Sequence, residues 1–191
     1  MTEIRSMIIT HNREKLINAI IYLAKNTKYC GKTKLMKLLY FLDFAHFKHT
    51  GKPVTGLGYF AWKMGPVPRE LFEELSGRMK PDMKSAINDL PEEGFQQIRP
   101  KKSFDPQYFS NKEIELLKNI AIIFKDAKAD AMVESTHLKN EPWDKTLHEK
   151  GEFEKIDYML AIDSDIVSLP FNEAKERFEE RLEMKKIFGA E

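Results

Sequence analysis

The chain predicts a mainly α-helical domain of α+β type, compact around one buried central helix (about residues 33–50), with a small antiparallel β element. Three observations point there. The stretch from Thr33 to Thr50 is apolar around most of its circumference and ends at Gly51, which places it inside a domain. Ser110-Asn-Lys-Glu113 has the form of a capping box in front of an apolar run, the signature of a helix start. Tyr59–Met64 alternates aromatic and small or polar residues, the period of a short strand.

Taken in order, Met1–Thr10 reads as a short extended lead. Asn12 is placed to cap a helix running to Asn26, with Leu16, Ile17, Ile20, Ile21, Leu23 and Ala24 as its inner face. Lys25, Lys28, Lys32, Lys34 and Lys37 then cluster around the entry to the central helix. A helix N-terminus favours negative charge, so this cluster suggests either a solvated loop or an acidic partner. In the central helix Leu35, Leu38, Leu39 and Leu42 form one face, and Met36, Tyr40, Phe44 and Phe47 a second. Thr33 is the expected cap and Gly51 the expected terminator.

A strand is expected within Val54–Met64, with Gly56 and Gly58 marking a bulge or a close approach, and Gly65-Pro66 forcing a turn. Pro68 opens a helix to Met79; Pro81 opens another to Leu90. Phe95–Arg99 is the expected second strand, pairing with Tyr59–Met64. The prolines at 100 and 106, with Lys101-Lys102 between them, mark an exposed excursion. Helices follow over Asn111–Lys125, Asp130–Leu138, Pro142–Leu147 and Glu152–Ile162. Asp163–Leu169 is a break. Asn172–Phe188 is a charged helix with a narrow stripe of Ala174, Phe178 and Leu182, suited to the rim of a domain or to a partner.

With 191 residues, 42% hydrophobic and 32% charged, the chain suits one domain plus a short appendage. No apolar run approaches membrane-spanning length, and the start lacks a secretory h-region. A single cysteine, Cys30, excludes an internal disulfide and a cysteine-built zinc site; the expected compartment is the reducing cytoplasm. Charge is uneven. His11–Lys52 holds nine basic residues against two acidic, whereas Gly151–Glu191 holds six against eleven.

No constellation predicts catalysis, a metal or a cofactor. His46 and His49 are spaced to share a metal, but no HExxH and no cysteine partner accompanies them. No nucleophile elbow, P-loop or dinucleotide fingerprint is present. The lysines beside Cys30 are expected to depress its pKa, yet no base is assigned to it. The helix after the lysine loop is too apolar for a recognition helix, which argues against DNA binding.

Three separated pieces line up with one family. Lys34–Val54, KLMKLLYFLDFAHFKHTGKPV, resembles the K-L-x-K-L-L-Y…G-x-P segment of the Panacea, or SocA-like, antitoxin domain. Ala61–Leu71, AWKMGPVPREL, resembles its A-W-x-x-G-P-V segment, and Thr136–Trp143, THLKNEPW, its T-H…P-W segment. The matching positions are Leu38, Leu39, Tyr40, Gly51, Pro53, Trp62, Gly65, Pro66, Val67, His137, Pro142 and Trp143. Elementary physics gives them structural work: core, turn and aromatic anchors.

The resemblance implies a mainly helical domain with a small β element, from a prokaryote or phage. It implies a non-enzymatic antitoxin that binds and neutralises a partner toxin, in some members handing it to a protease. On that basis residues 1–165 form the antitoxin domain and 166–191 a charged helical extension, with a homodimer left open. Toxin contacts are expected on variable surface: Lys28 and Lys32, Arg99, Lys101 and Lys102, and Phe178 and Leu182 of the last helix. The competing class is a phage or mobile-element regulator that binds a host protein or DNA.

Overall fold

The computed structural model describes the backbone of residues 2–162 and 171–188, and the side chains of residues 13–162, 173–180 and 183. Among these, eight α-helices surround a two-stranded antiparallel sheet. They are α1 (Thr2–Asn26), α2 (Lys32–Thr50), β1 (Tyr59–Trp62), β2 (Gly65–Pro68), α3 (Arg69–Leu75), α4 (Pro81–Ala86), α5 (Asn111–Ile123), α6 (Ala129–Thr136), α7 (Pro142–Glu149) and α8 (Phe171–Phe188). Single 3-10 turns lie at Pro106–Tyr108 and Tyr158–Ala161.

The central helix is α2. It packs against α1, α3, α5, α6, α8, β2 and the Tyr158–Ala161 turn. Leu35, Leu38, Leu39, Leu42 and Phe47 are fully buried. Truncating any of these leucines would open a cavity worth about 2–5 kcal/mol. At its end Gly51 takes φ 69° and its N–H donates to the Phe47 carbonyl at 2.8 Å, the left-handed closure a glycine allows. At its start the cap is Gly31, not Thr33, and no side chain caps the first turn.

The antiparallel element is a hairpin, and its second strand differs from the one expected. β2 is Gly65–Pro68, paired Tyr59↔Pro68, Phe60↔Val67, Ala61↔Pro66 and Trp62↔Gly65. The turn is therefore Lys63-Met64, and Gly65-Pro66 opens a strand. Phe95–Arg99 does not pair with β1; Pro100 forms only an isolated bridge, with Ile87. Two prolines fit in β2 because they stand opposite Ala61 and Tyr59, whose polar groups point the other way. The Ala61 N–H donates to the Glu154 carbonyl, its carbonyl accepts from Phe153, and the Tyr59 carbonyl accepts from Ile156. Neither proline is asked for a ladder donor.

That outer pairing corrects a second expectation. Residues 154–156 run extended along β1, with a bridge between Phe60 and Lys155, instead of forming a helix over Glu152–Ile162. Only the Tyr158–Ala161 turn is helical. Gly151 and Phe153 both take positive φ, which breaks helical continuity. At the other end, α1 begins at Thr2, so Asn12 lies inside a helix and caps nothing; residues 2–11 contain no proline or glycine to stop it. Helices α3 and α4 end at Leu75 and Ala86, short of the expected Met79 and Leu90. The expected break at 163–169 and the boundary at 165/166 lie outside the described residues.

Ion pairs tie the layers together. The Arg13 guanidinium bridges α1 to Glu74 of α3 and to Asp82 of α4, four hydrogen bonds in all. The contact with Arg13 holds the Asp82 carboxyl down at about 2. The Ser110–Glu113 capping box forms as read, and Glu113 also takes Lys15 of α1 at 2.6 Å.

Candidate functional site

The three motif segments, far apart in sequence, meet beneath the hairpin. From α2 comes Lys37, whose Nζ donates to the Pro66 carbonyl at 3.0 Å. From the end of α6 comes Thr136, against which Gly65 packs. A Cβ at Gly65 would lie 2.7 Å from Thr136 Oγ1 and 3.0 Å from both Cε and Nζ of Lys37. The next residue, His137, lays its ring flat on Trp143 of α7, with centroids 3.9 Å apart and planes 3° apart. Trp143 Nε1 donates to the Trp62 carbonyl at 2.9 Å, joining the second motif segment to the third. Pro53, Gly65, Pro66, Val67, Pro142 and Trp143 are buried, as are Leu38, Leu39 and Tyr40. Trp62 and His137 are half-buried, and Trp62 meets Phe72 and Phe153 edge-on.

Polar groups at this junction are under-satisfied. Lys37 is 1% exposed, and no carboxylate among the described residues pairs with it. Burial draws its pKa down to about 7. The His137 pKa is also lowered, by burial first and then by Lys37. Among the described residues, His137 Nε2 and the Tyr40 hydroxyl are buried without a hydrogen bond of normal geometry; the Trp143 backbone N–H is the donor that faces Tyr40.

Such a lysine makes stability depend on pH. Between its folded value of about 7 and its free value of 10.5, the unfolded chain holds the proton and the folded chain does not. Stability therefore rises with pH across that window, and the advantage is lost as pH falls through about 7. Urea denaturation at pH 7 and pH 9 is expected to show a gain of a few kcal/mol at the higher pH. Lys37→Met is expected to abolish that gain, leaving the two midpoints alike. The range stops at pH 9 because burial pushes the Cys30 thiol up to about 11, which opposes the Lys37 slope above that pH.

A second buried charge lies six residues further along α2. Asp43 is 0% exposed and accepts hydrogen bonds from the Thr55 N–H at 2.6 Å, the Thr55 hydroxyl, and the Tyr59 hydroxyl at 3.0 Å. The Tyr158 hydroxyl stands 3.3 Å away, but its single proton is committed to the Leu57 carbonyl at 2.7 Å. Burial and Asp43 push the Tyr59 pKa well up, so it stays protonated and remains a donor. The carboxylate thus pins the 54–57 loop and β1 onto α2.

Lys34 performs a third such task. Its Nζ, on a residue 1% exposed, donates to the Phe124 and Ala127 carbonyls at 2.7 and 2.6 Å and to the Lys28 carbonyl at 2.8 Å. The Phe124 and Ala127 carbonyls belong to the turn after α5, where a cation is favoured, and the Lys28 carbonyl to the turn after α1. The lysine cluster read at the entry to α2 is therefore dispersed. Lys34 and Lys37 are inside, Lys28 pairs with Asp126 at 2.8 Å, and Lys32 donates to Ser76 and to the Pro91 and Glu92 carbonyls. The expected activation of Cys30 is also corrected: the thiol is fully buried, and burial raises its pKa to about 11 instead of depressing it.

The remaining surface residues fall in two places. Arg99, Lys101 and Lys102 are exposed on the excursion before α5, with Lys101 donating to the Lys84 carbonyl at 3.0 Å. Phe178 is half-buried at the far end of α2, packed on Phe47 and Tyr158, beside a concavity of about 410 Å³ that Pro53 and Leu57 also line. Arg177 next to it donates to the Thr50 carbonyl at 3.1 Å. The Leu182 side chain lies outside the described residues. Sequence reasoning missed the parts played by Lys34, Lys37 and Asp43. The available signal was their position: charges on a helix with no polar face wide enough to hold them.

No curated protein and no solved structure matches the chain. Comparison with protein families matches residues 35–144 to "Antitoxin SocA-like, Panacea domain". The match spans all three converging segments apart from Lys34, and more than half of the chain. The protein is therefore a member of the SocA-like antitoxin family and carries its Panacea domain.

Proposed function

We propose that this protein is a non-enzymatic antitoxin that neutralises a cognate toxin protein by direct, stoichiometric binding. The observation that carries the reading is the family membership over residues 35–144. The burial of nearly every motif residue supports a scaffold role for them, which leaves recognition to the surface. Two observations weigh on the alternatives. The one thiol is buried and held protonated, which speaks against a cysteine nucleophile. The dispersal of the lysine cluster at the entry to α2 weighs against duplex binding through that cluster.

The test is co-expression with the product of the neighbouring gene in a bacterial host. The neighbour alone is expected to stop growth. This chain is expected to restore it and to co-purify with the toxin. A toxic neighbour that this chain neither relieves nor binds would overturn the reading. Tight, salt-steep binding to duplex DNA would favour the regulator instead.

A further inference from the structure

The two loops expected to carry recognition, 26–32 and 91–105, are brought together in the fold. The Ile98 N–H donates to the Cys30 carbonyl at 2.8 Å, and the Phe95 ring lies where a Cβ on Gly31 would meet it at 2.9 Å. The end of α5 closes the same surface, because the Lys28 N–H donates to the Lys125 carbonyl at 2.7 Å. Four large apolar side chains stand out around this junction: Tyr29 (47% exposed), Phe95 (70%), Ile122 (73%) and Ile123 (69%).

Two features distinguish this patch from scattered surface apolar residues. Tyr29 takes φ 56°, a left-handed conformation that a bulky residue adopts only at a cost of about 1 kcal/mol or more. The loop is held there from both sides: Lys34 bonds the Lys28 carbonyl, and the Gly31 N–H donates to the Tyr29 carbonyl at 2.9 Å. The aromatic ring is thus displayed on a rigid support, which lowers the entropy lost on docking. The second feature is charge. Lys125 and Lys128 are exposed beside the Tyr29 loop just after α5 and make no ion pair among the described residues, while Asp126 is taken by Lys28. Lys128 Nζ lies 5.9 Å from the Tyr29 ring centre. On the Phe95 side the neighbouring charges are Glu92 and Glu93.

From this arrangement we infer that Tyr29, Phe95, Ile122 and Ile123 form the surface that docks the toxin. The toxin's complementary face is apolar and flanked by Asp or Glu side chains where it meets the basic end of α5. The inference rests on the antitoxin reading.

The test uses the full chain with the neighbouring gene's product, scored by growth rescue and by affinity of the purified pair. Ile122→Glu combined with Ile123→Glu is expected to weaken binding about tenfold or more while leaving the melting temperature near wild type. Phe95→Ser and the charge reversal Lys125→Glu with Lys128→Glu are expected to act in the same direction. Met64→Ser, at the exposed hairpin tip, is expected to leave binding unchanged. If wild type neutralises and the patch variants neutralise equally well, the docking surface is overturned while the antitoxin reading stands. Loss in Met64→Ser alone would move docking to the hairpin. A wild-type dimer that Ile122→Glu dissociates, with toxin binding intact, would make the patch a self-association surface. If wild type neither binds nor neutralises, both the reading and the inference fail.

Discussion

Asp43→Ala is expected to destabilise the fold by about 4 kcal/mol. The substitution removes the shared acceptor of three donors and leaves the Thr55 N–H, the Thr55 hydroxyl and the Tyr59 hydroxyl buried. Each buried unsatisfied group costs about 1–3 kcal/mol, and the three together about 4 kcal/mol, against a typical total stability of 5–15 kcal/mol. Asp43→Asn keeps an acceptor and is expected to recover part of the loss, because the Asn oxygen can still take one or two of the donors. The measurement is urea denaturation followed by circular dichroism. A midpoint within error of wild type for Asp43→Ala would show that these bonds are made in solution by other partners.

Gly65→Val carries the second large effect, for two separable reasons. The backbone takes φ 98°, which a β-branched residue resists. A Cβ would also press on Thr136 Oγ1 at 2.7 Å and on the Lys37 chain at 3.0 Å. Strain and clash together are expected to cost about 3–5 kcal/mol. Gly65→Ala keeps most of the clash with less torsional penalty. Adding Thr136→Ala to it removes the nearest atom and is expected to return about 1 kcal/mol. If the double variant is no more stable than the simple sum of the two single changes, the steric contact is not what the glycine serves. If Gly65→Val melts like wild type, the hairpin does not sit on Lys37 and Thr136 as described.

The elements read correctly from sequence are those with an unbroken local signal. α2 shows a long apolar circumference, α5 shows its capping box, and Gly51 shows a terminator. The β element was legible only by half. Tyr59–Trp62 alternates, but Gly65-Pro66-Val67-Pro68 has poor strand propensity and reads as a turn. It becomes a strand because the register leaves both prolines where no donor is required. Residues 153–162 misled in the opposite direction: Phe153, Ile156, Met159 and Leu160 have helical spacing, yet the open edge of β1 recruits residues 154–156 into extended pairing. Tertiary pairing overrode local periodicity there.

The site was legible as a set of motif residues and not as chemistry. That Trp62 would accept from Trp143, or that His137 would stack on it, depends on loop paths that no local pattern encodes. Lys34, Lys37 and Asp43 look like the solvent side of a helix until the helix is seen to bury that part of its surface. Each then answers a particular need: the carbonyls after α5, the Pro66 carbonyl under the hairpin, and the donors of Thr55 and Tyr59. A helix with charges but no polar face is the clue that could have revealed them.

The central claim, stoichiometric neutralisation without catalysis, is tested most directly by titrating the purified chain into a fixed amount of the neighbouring gene's purified product and following residual toxin activity. The account predicts a linear fall that ends at a fixed integral ratio, with a complex of the same composition by light scattering. Complete neutralisation by a small fraction of one equivalent, or no loss of activity at any ratio, would contradict it.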